Sequence, residues 1–278
     1  MAHSYTRNDL KDIFFSALEM FNDYLDSDIN KDNIRIDFFV PENGIKVYEH
    51  FCSRYFPKYL DEPYKSNGYF DEIAAQAFVS ESCYGVLIRE DIDFTLGEVL
   101  QMFLHEISHL YCTQNEVPGG RFFDKYCMGS GVEDGMINAG YAIWREAIAD
   151  IMADSVLSEN ATLTLAMVKD EIHHLDQELS IENPNSKKAM SLMLAYIMIS
   201  AEVATTTNWT VAEKKIKNTV GFDEPIIYRI LEIVFEQLHT SPFWTITPEF
   251  IIELGQMYLE LLSMRAFPIR IKEMSKDE

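Results

Sequence analysis

Apolar residues recur every three or four positions over 7–26 and again from Ile45 to Phe56, which predicts two amphipathic helices. Between them the polar run DSDINKDN gives way to Ile34–Val40 (IRIDFFV), a β-branched and aromatic stretch that reads as a strand stopped by Pro41 and the following ENG turn. Residues 57–70 hold two prolines, a glycine and three tyrosines, and read as loop. Ala77–Glu90 (AFVSESCYGVLIRE) is the next strand region. Thr95 followed by Glu98 matches a capping box, in which side-chain oxygens satisfy the free N–H groups of a helix start. Behind it Val99, Leu100, Phe103, Leu104, Ile107 and Leu110 keep a helical period that buries one face. Residues 113–137 carry Pro118 and five glycines and read as a long loop, of the kind that often serves as a lid or binding loop. A second strong helix is predicted over 139–157. Beyond about residue 160 the pattern is helical, with breaks at Asn183-Pro184, Thr206–Asn208, Gly221 and Ser241-Pro242.

These patterns predict an α+β chain that is predominantly helical. Residues 1–158 form a mixed part with an N-terminal helix, a small sheet and two strong helices. Residues 159–278 form an all-α part, either separate or the other half of one domain. The length of 278 residues and a hydrophobic fraction of 47% supply a sizeable core. The most apolar stretch, Ala189–Ala204, contains Ser191, Tyr196 and Glu202 and falls short of a membrane span, so it reads as a buried core helix. The N-terminus turns charged at once, and no signal peptide is expected. Cys52, Cys83, Cys112 and Cys127 are scattered without CxxC spacing, as in a reduced cytoplasmic protein. A net charge of −22 disfavours nucleic acid and anionic lipid as partners and suits a soluble surface. Oligomeric state is not readable.

Chemistry enters at His105-Glu106-Ile107-Ser108-His109, an HExxH motif on the capped helix. Positions i and i+4 lie one above the other, so both imidazoles can reach one ion, and Glu106 beside them can act as general base. Zn2+, one per chain, is the natural occupant of a site with two imidazoles and one carboxylate. A third histidine at the spacing of a metzincin is absent, because Cys112 and Asn115 stand where glycine and histidine are needed. The third ligand is then a carboxylate on a later helix. Glu146 in the run WREAIAD supplies one, with Asp150 a turn further on to orient a ligand histidine. Glu133, Asp134 and Asp154 compete for the same role. Arg145 reads as a surface or inter-helix ion-pair residue.

HEISH followed by EAIAD on a later helix resembles the gluzincins, the thermolysin-like superfamily of zinc peptidases, in its compact intracellular form. The resemblance covers about a quarter of the chain, residues 80–155. It implies a small zincin-type sheet with a pair of active-site helices. It implies His105, His109 and Glu146 as zinc ligands, Glu106 as base and Asp150 behind them, with a peptide or protein as substrate. It also implies an edge strand that pairs with extended peptide, placed at Tyr84, Gly85, Val86 and Leu87 and running on to Arg89, and a His or Tyr for the oxyanion. Candidates for that last role are His174 with His173, and Tyr141 with Tyr126. The competing expectation is a latent or non-catalytic zinc-site protein that acts by contact with a partner. The presence of a base and the absence of a fourth ligand favour the peptidase.

Overall fold

The computed structural model describes residues 5–61, 67–80, 83–117, 122–126, 131–157, 169–170, 172–175, 186–204, 206, 208–240 and 242–264. It is α+β and predominantly helical, with a small three-stranded sheet among the described residues. The chain forms two units: Met1–Asn115 with Met152–Asn160, and Glu116–Ile151 with Ala161–Glu278.

In the first unit, helix α1 (Arg7–Leu25) starts at a Thr6–Asp9 capping box and ends on Asp26 in a left-handed conformation. Strand β1 (Ile34–Phe39), helix α2 (Gly44–Tyr55), helix α3 (Asn67–Glu72), strands β2 (Ala75–Val79) and β3 (Tyr84–Arg89) and helix α4 (Leu96–Gln114) follow. The stretch 57–70, expected as loop, contains a 3-10 turn at Pro57–Asp61 and the start of α3. The Ala77–Glu90 segment holds two strands, tied where they meet: Ser80 N–H donates to the Cys83 carbonyl at 2.9 Å, and its hydroxyl accepts from Cys83 N–H at 3.1 Å.

Strand order is β1-β3-β2, with β1 parallel and β2 antiparallel to β3. Phe78 and Leu87 join Phe39, Tyr48, Phe51, Phe56 and Phe70 in an aromatic cluster on the α2–α3 side. Helix α4 packs against β2 and α1 packs against α4, where Phe14 meets Phe103 and Phe21 meets Tyr111 edge to face at 5.3 and 5.6 Å.

Helix α6 (Val132–Leu157), preceded by the short α5 (Phe122–Tyr126), runs from the second unit into the first. The region expected as one long loop over 113–137 is therefore shortened at both ends. Glycine does not interrupt the helix there: Gly135 sits inside α6 on the exposed side, where a helix tolerates it at modest cost. Residues 118–121 and 127–130, the core of the expected lid, lie outside the described residues.

The second unit continues through α7 (Ser186–Val203), α8 (Trp209–Thr219), α9 (Pro225–Leu238) and α10 (Pro248–Met264). The breaks between them fall where Pro, Gly and Asn were read as punctuation. The apolar stretch after Lys188 is the core helix α7, with Leu192, Met193, Tyr196, Ile197 and Ile199 buried. No helix among the described residues is long and apolar enough to cross a membrane. Helix α10 crosses α6 at a pair of glycines: a Cβ on Gly140 would lie 2.1 Å from the Ile251 carbonyl oxygen, and one on Gly255 would lie 2.0 Å from that of Met136. One turn beyond Gly140, Trp144 is fully buried and meets Phe250 edge to face at 5.0 Å.

Candidate metal centre

Helix α4 begins as its sequence dictates. The Thr95 hydroxyl accepts from Glu98 N–H, and the Glu98 carboxylate accepts from the Thr95 N–H at 2.7 Å. That N–H and the Thr95 hydroxyl, which donates to the same carboxylate at 2.8 Å, hold the Glu98 carboxyl below its ordinary range. Val99, Phe103, Leu104, Ile107 and Leu110 face the core, which turns His105 and His109 towards a half-buried position while Glu106 is 9% exposed. The two Nε2 atoms converge to 3.1 Å. Neutral imidazoles at that distance share one proton between two lone pairs.

One ligand atom from each of His105, His109 and Glu146 lies within 4.8 Å of the others, and all three residues are half-buried. Among the described residues this is the one such group of three. The donor set fits zinc. Zn–N bonds of about 2.0–2.1 Å at near-tetrahedral angles would hold two ring nitrogens about 3.3 Å apart, close to the separation observed. The Glu146 carboxylate also accepts from Arg145 at 3.0 Å through Oε1.

The C-terminal turns of the Glu146 helix are docked on α4 inside the first unit. Gln101 donates to Asp154 at 2.8 Å, and the Cys112 thiol lies 3.9 Å from the Met152 sulfur. Of the acids that competed for the third ligand position, Glu133, Asp134 and Asp154 stand outside the group. Asp150 is half-buried one turn beyond Glu146 on α6.

His173 and His174 are exposed, on a helical stretch over residues 172–175. Tyr141 lies parallel to Phe122 at 5.7 Å, and Tyr126 packs on the same ring at 4.8 Å.

The peptide-pairing edge was expected at Tyr84–Leu87, and this is corrected. Strand β3 is interior, paired on both sides along its whole length, so its backbone groups are already used. Its Tyr84 hydroxyl is raised in pKa by burial and by Asp28. The edges are β1 and β2. On β1, the outward N–H of Phe38 donates to the Asp37 carboxylate at 2.9 Å, and the Ile34 carbonyl accepts from Arg35 at 3.3 Å. On β2, the bonds Arg89 N–H to Ala74 O and Ser80 N–H to Cys83 O fix the alternation, so residues 74, 76, 78 and 80 bond inwards. Ala75, Ala77 and Val79 therefore turn their N–H and C=O outwards. Those of Ala75 and Ala77 find no hydrogen-bond partner among the described residues. No sequence signal marked them, since AQAFV carries neither charge nor motif.

Compared with known proteins, the chain matches no family model, no curated protein and no solved structure.

Proposed function

We propose that the chain is a zinc-dependent peptidase of the gluzincin type, and the observation that carries this is the convergence of His105, His109 and Glu146 beside Glu106. His105, His109 and Glu146 would hold one Zn2+. When bound, the ion supplies Lewis acidity, polarising a carbonyl and acidifying water. Glu106 takes the proton from the attacking water on its carboxylate and returns it to the leaving amine. Its shielded position on α4 suits a base that must exchange protons with substrate rather than with bulk solvent. Asp150 offers a carboxylate to the remote N–H of a ligand histidine and fixes its ring. The outward groups of Ala75 and Ala77 on β2, the strand that α4 packs against, hold the extended substrate through its backbone. The reduced Cys52, Cys83 and Cys112 support a cytoplasmic setting.

The test is zinc content of wild type and Glu106→Gln, with hydrolysis of a mixed peptide library. About one zinc in each protein, with cleavage by the wild type alone, is the expected result. Zinc in both without cleavage by either would transfer the site to the latent or partner-binding alternative. No zinc in either sinks the proposal.

A further inference from the structure

The geometry points to Tyr59 as the residue that limits how long a peptide segment β2 accepts, so that the substrate is a short or terminal extended segment. This rests on the reading of β2 as the substrate edge. Of the three residues of β2 that face outwards, Val79 differs from Ala75 and Ala77. Its N–H donates to the Tyr59 hydroxyl oxygen at 3.1 Å, and the same hydroxyl lies 3.5 Å from the Val79 carbonyl, to which it donates. One phenol thus meets both groups that an added strand would meet, in the place where that strand's backbone would run, about 4.8 Å out from β2.

Tyr59 is held there firmly. Its ring stands edge to face with Phe78 at 5.1 Å and with Phe56 at 6.3 Å. Its carbonyl accepts from the Tyr48 hydroxyl at 2.8 Å. Removing the hydroxyl alone leaves the ring in the way, so the block is steric as well as chemical.

A device meant only to protect an edge would cover all its outward groups. Here, among the described residues, the cover stops at Val79 and leaves two alanines, whose methyl side chains give an incoming chain room. A substrate pairs with Ala77 and Ala75 through its own backbone and then ends, or turns away, at Val79. A long strand gains nothing from its extra length.

The test uses the full-length, zinc-loaded Glu106→Gln protein and a labelled peptide selected from a random library by retention on it. The peptide is long enough to span all of β2. Each backbone nitrogen is methylated in turn and binding is measured by fluorescence anisotropy. Whether the peptide runs parallel or antiparallel, two sensitive nitrogens, two residues apart, are expected on this protein. In the Tyr59→Ala background a third appears at the same spacing and affinity rises about tenfold, the scale of two further backbone hydrogen bonds. Tyr59→Phe keeps the ring and keeps two. Three sensitive nitrogens with Tyr59 intact overturn the assignment of Tyr59 and leave the edge reading standing. A bound peptide with no sensitive nitrogen, or no retained peptide, overturns both. If Tyr59→Ala fails to fold, the scan with Tyr59 in place still decides.

Discussion

Helix α6 contains two glycines five residues apart, and the same substitution at each should move stability in opposite directions. A Cβ at Gly140 meets the Ile251 carbonyl oxygen at 2.1 Å, with the Gly255 nitrogen and the Ile251 carbonyl carbon at 3.0 and 3.1 Å. All three are backbone atoms and cannot rotate away. Ordinary contact begins near 3.4 Å, so α6 and α10 must part by about 1.3 Å. Overpacking of this kind costs about 3 kcal/mol at the upper end, part of it from loosened neighbours such as Trp144 against Phe250. Alanine returns about 1 kcal/mol through its helix preference, leaving a net loss of about 2 kcal/mol. At Gly135 an added Cβ meets nothing within 4 Å, so only the helix preference remains, a gain of up to about 1 kcal/mol. Thermal unfolding of Gly140→Ala and Gly135→Ala, followed by far-UV circular dichroism, reads both. A fall in melting temperature of about 4–8 °C for the first and a rise of a few degrees for the second are expected. Equal effects of the same sign would refute the close crossing of α6 and α10.

Further outcomes follow from the same geometry. Glu146→Gln should weaken zinc binding by more than about 100-fold and Asp150→Asn by about 10–100-fold, measured by competition with a chromogenic chelator; unchanged affinity in Glu146→Gln removes it from the ligand set. Thr95→Ala should cost about 1 kcal/mol by loss of the α4 cap. Because the Thr95 N–H and hydroxyl hold the folded Glu98 carboxyl below its ordinary value, the share of that contribution made by the hydroxyl on the carboxylate is present above the unfolded pKa and fades as pH falls through the folded one. The gap between Thr95→Ala and wild type should therefore narrow in acid without closing, since the bond from Glu98 N–H to the Thr95 hydroxyl does not titrate, and a gap that widens there contradicts the cap. Glu232 titrates above its ordinary value because of burial and the nearby Glu236 and Glu213 charges. Its ionised form thus opposes folding above the folded pKa, and that cost disappears below the unfolded one. Glu232→Gln should raise the melting temperature at neutral pH and leave it unchanged in acid.

What was legible in the sequence was what local rules decide. The Thr95–Glu98 pair placed the start of α4, and the HExxH spacing placed two imidazoles on one face of it. The ExxxD run placed Glu146 on a helix, and the structure brings its carboxylate to the two histidines. Strand order was not legible, because a continuous apolar run such as YGVLIR is equally compatible with an edge and with an interior position. Parallel pairing with β1 decided for the interior, and that contact spans about fifty residues of chain. Tyr59 was invisible for a related reason. Its hydroxyl acts on Val79, twenty residues away, and FPKYL offers no pattern that predicts it. The start of α6 was not legible because Gly131 and Gly135 are loop signals by type, whereas Gly135 forms part of an exposed helical turn.

The unequal edges of the sheet bear on self-association. At β1, charged side chains already occupy the Phe38 N–H and the Ile34 carbonyl, so another molecule's β2 gains fewer bonds by adding there. Repeated head-to-tail addition, in which β2 of each copy meets β1 of the next, builds a ring where the rotation closes and a filament where it does not. Pairing of β2 against β2 about a two-fold axis instead uses the open groups of both copies and closes at two.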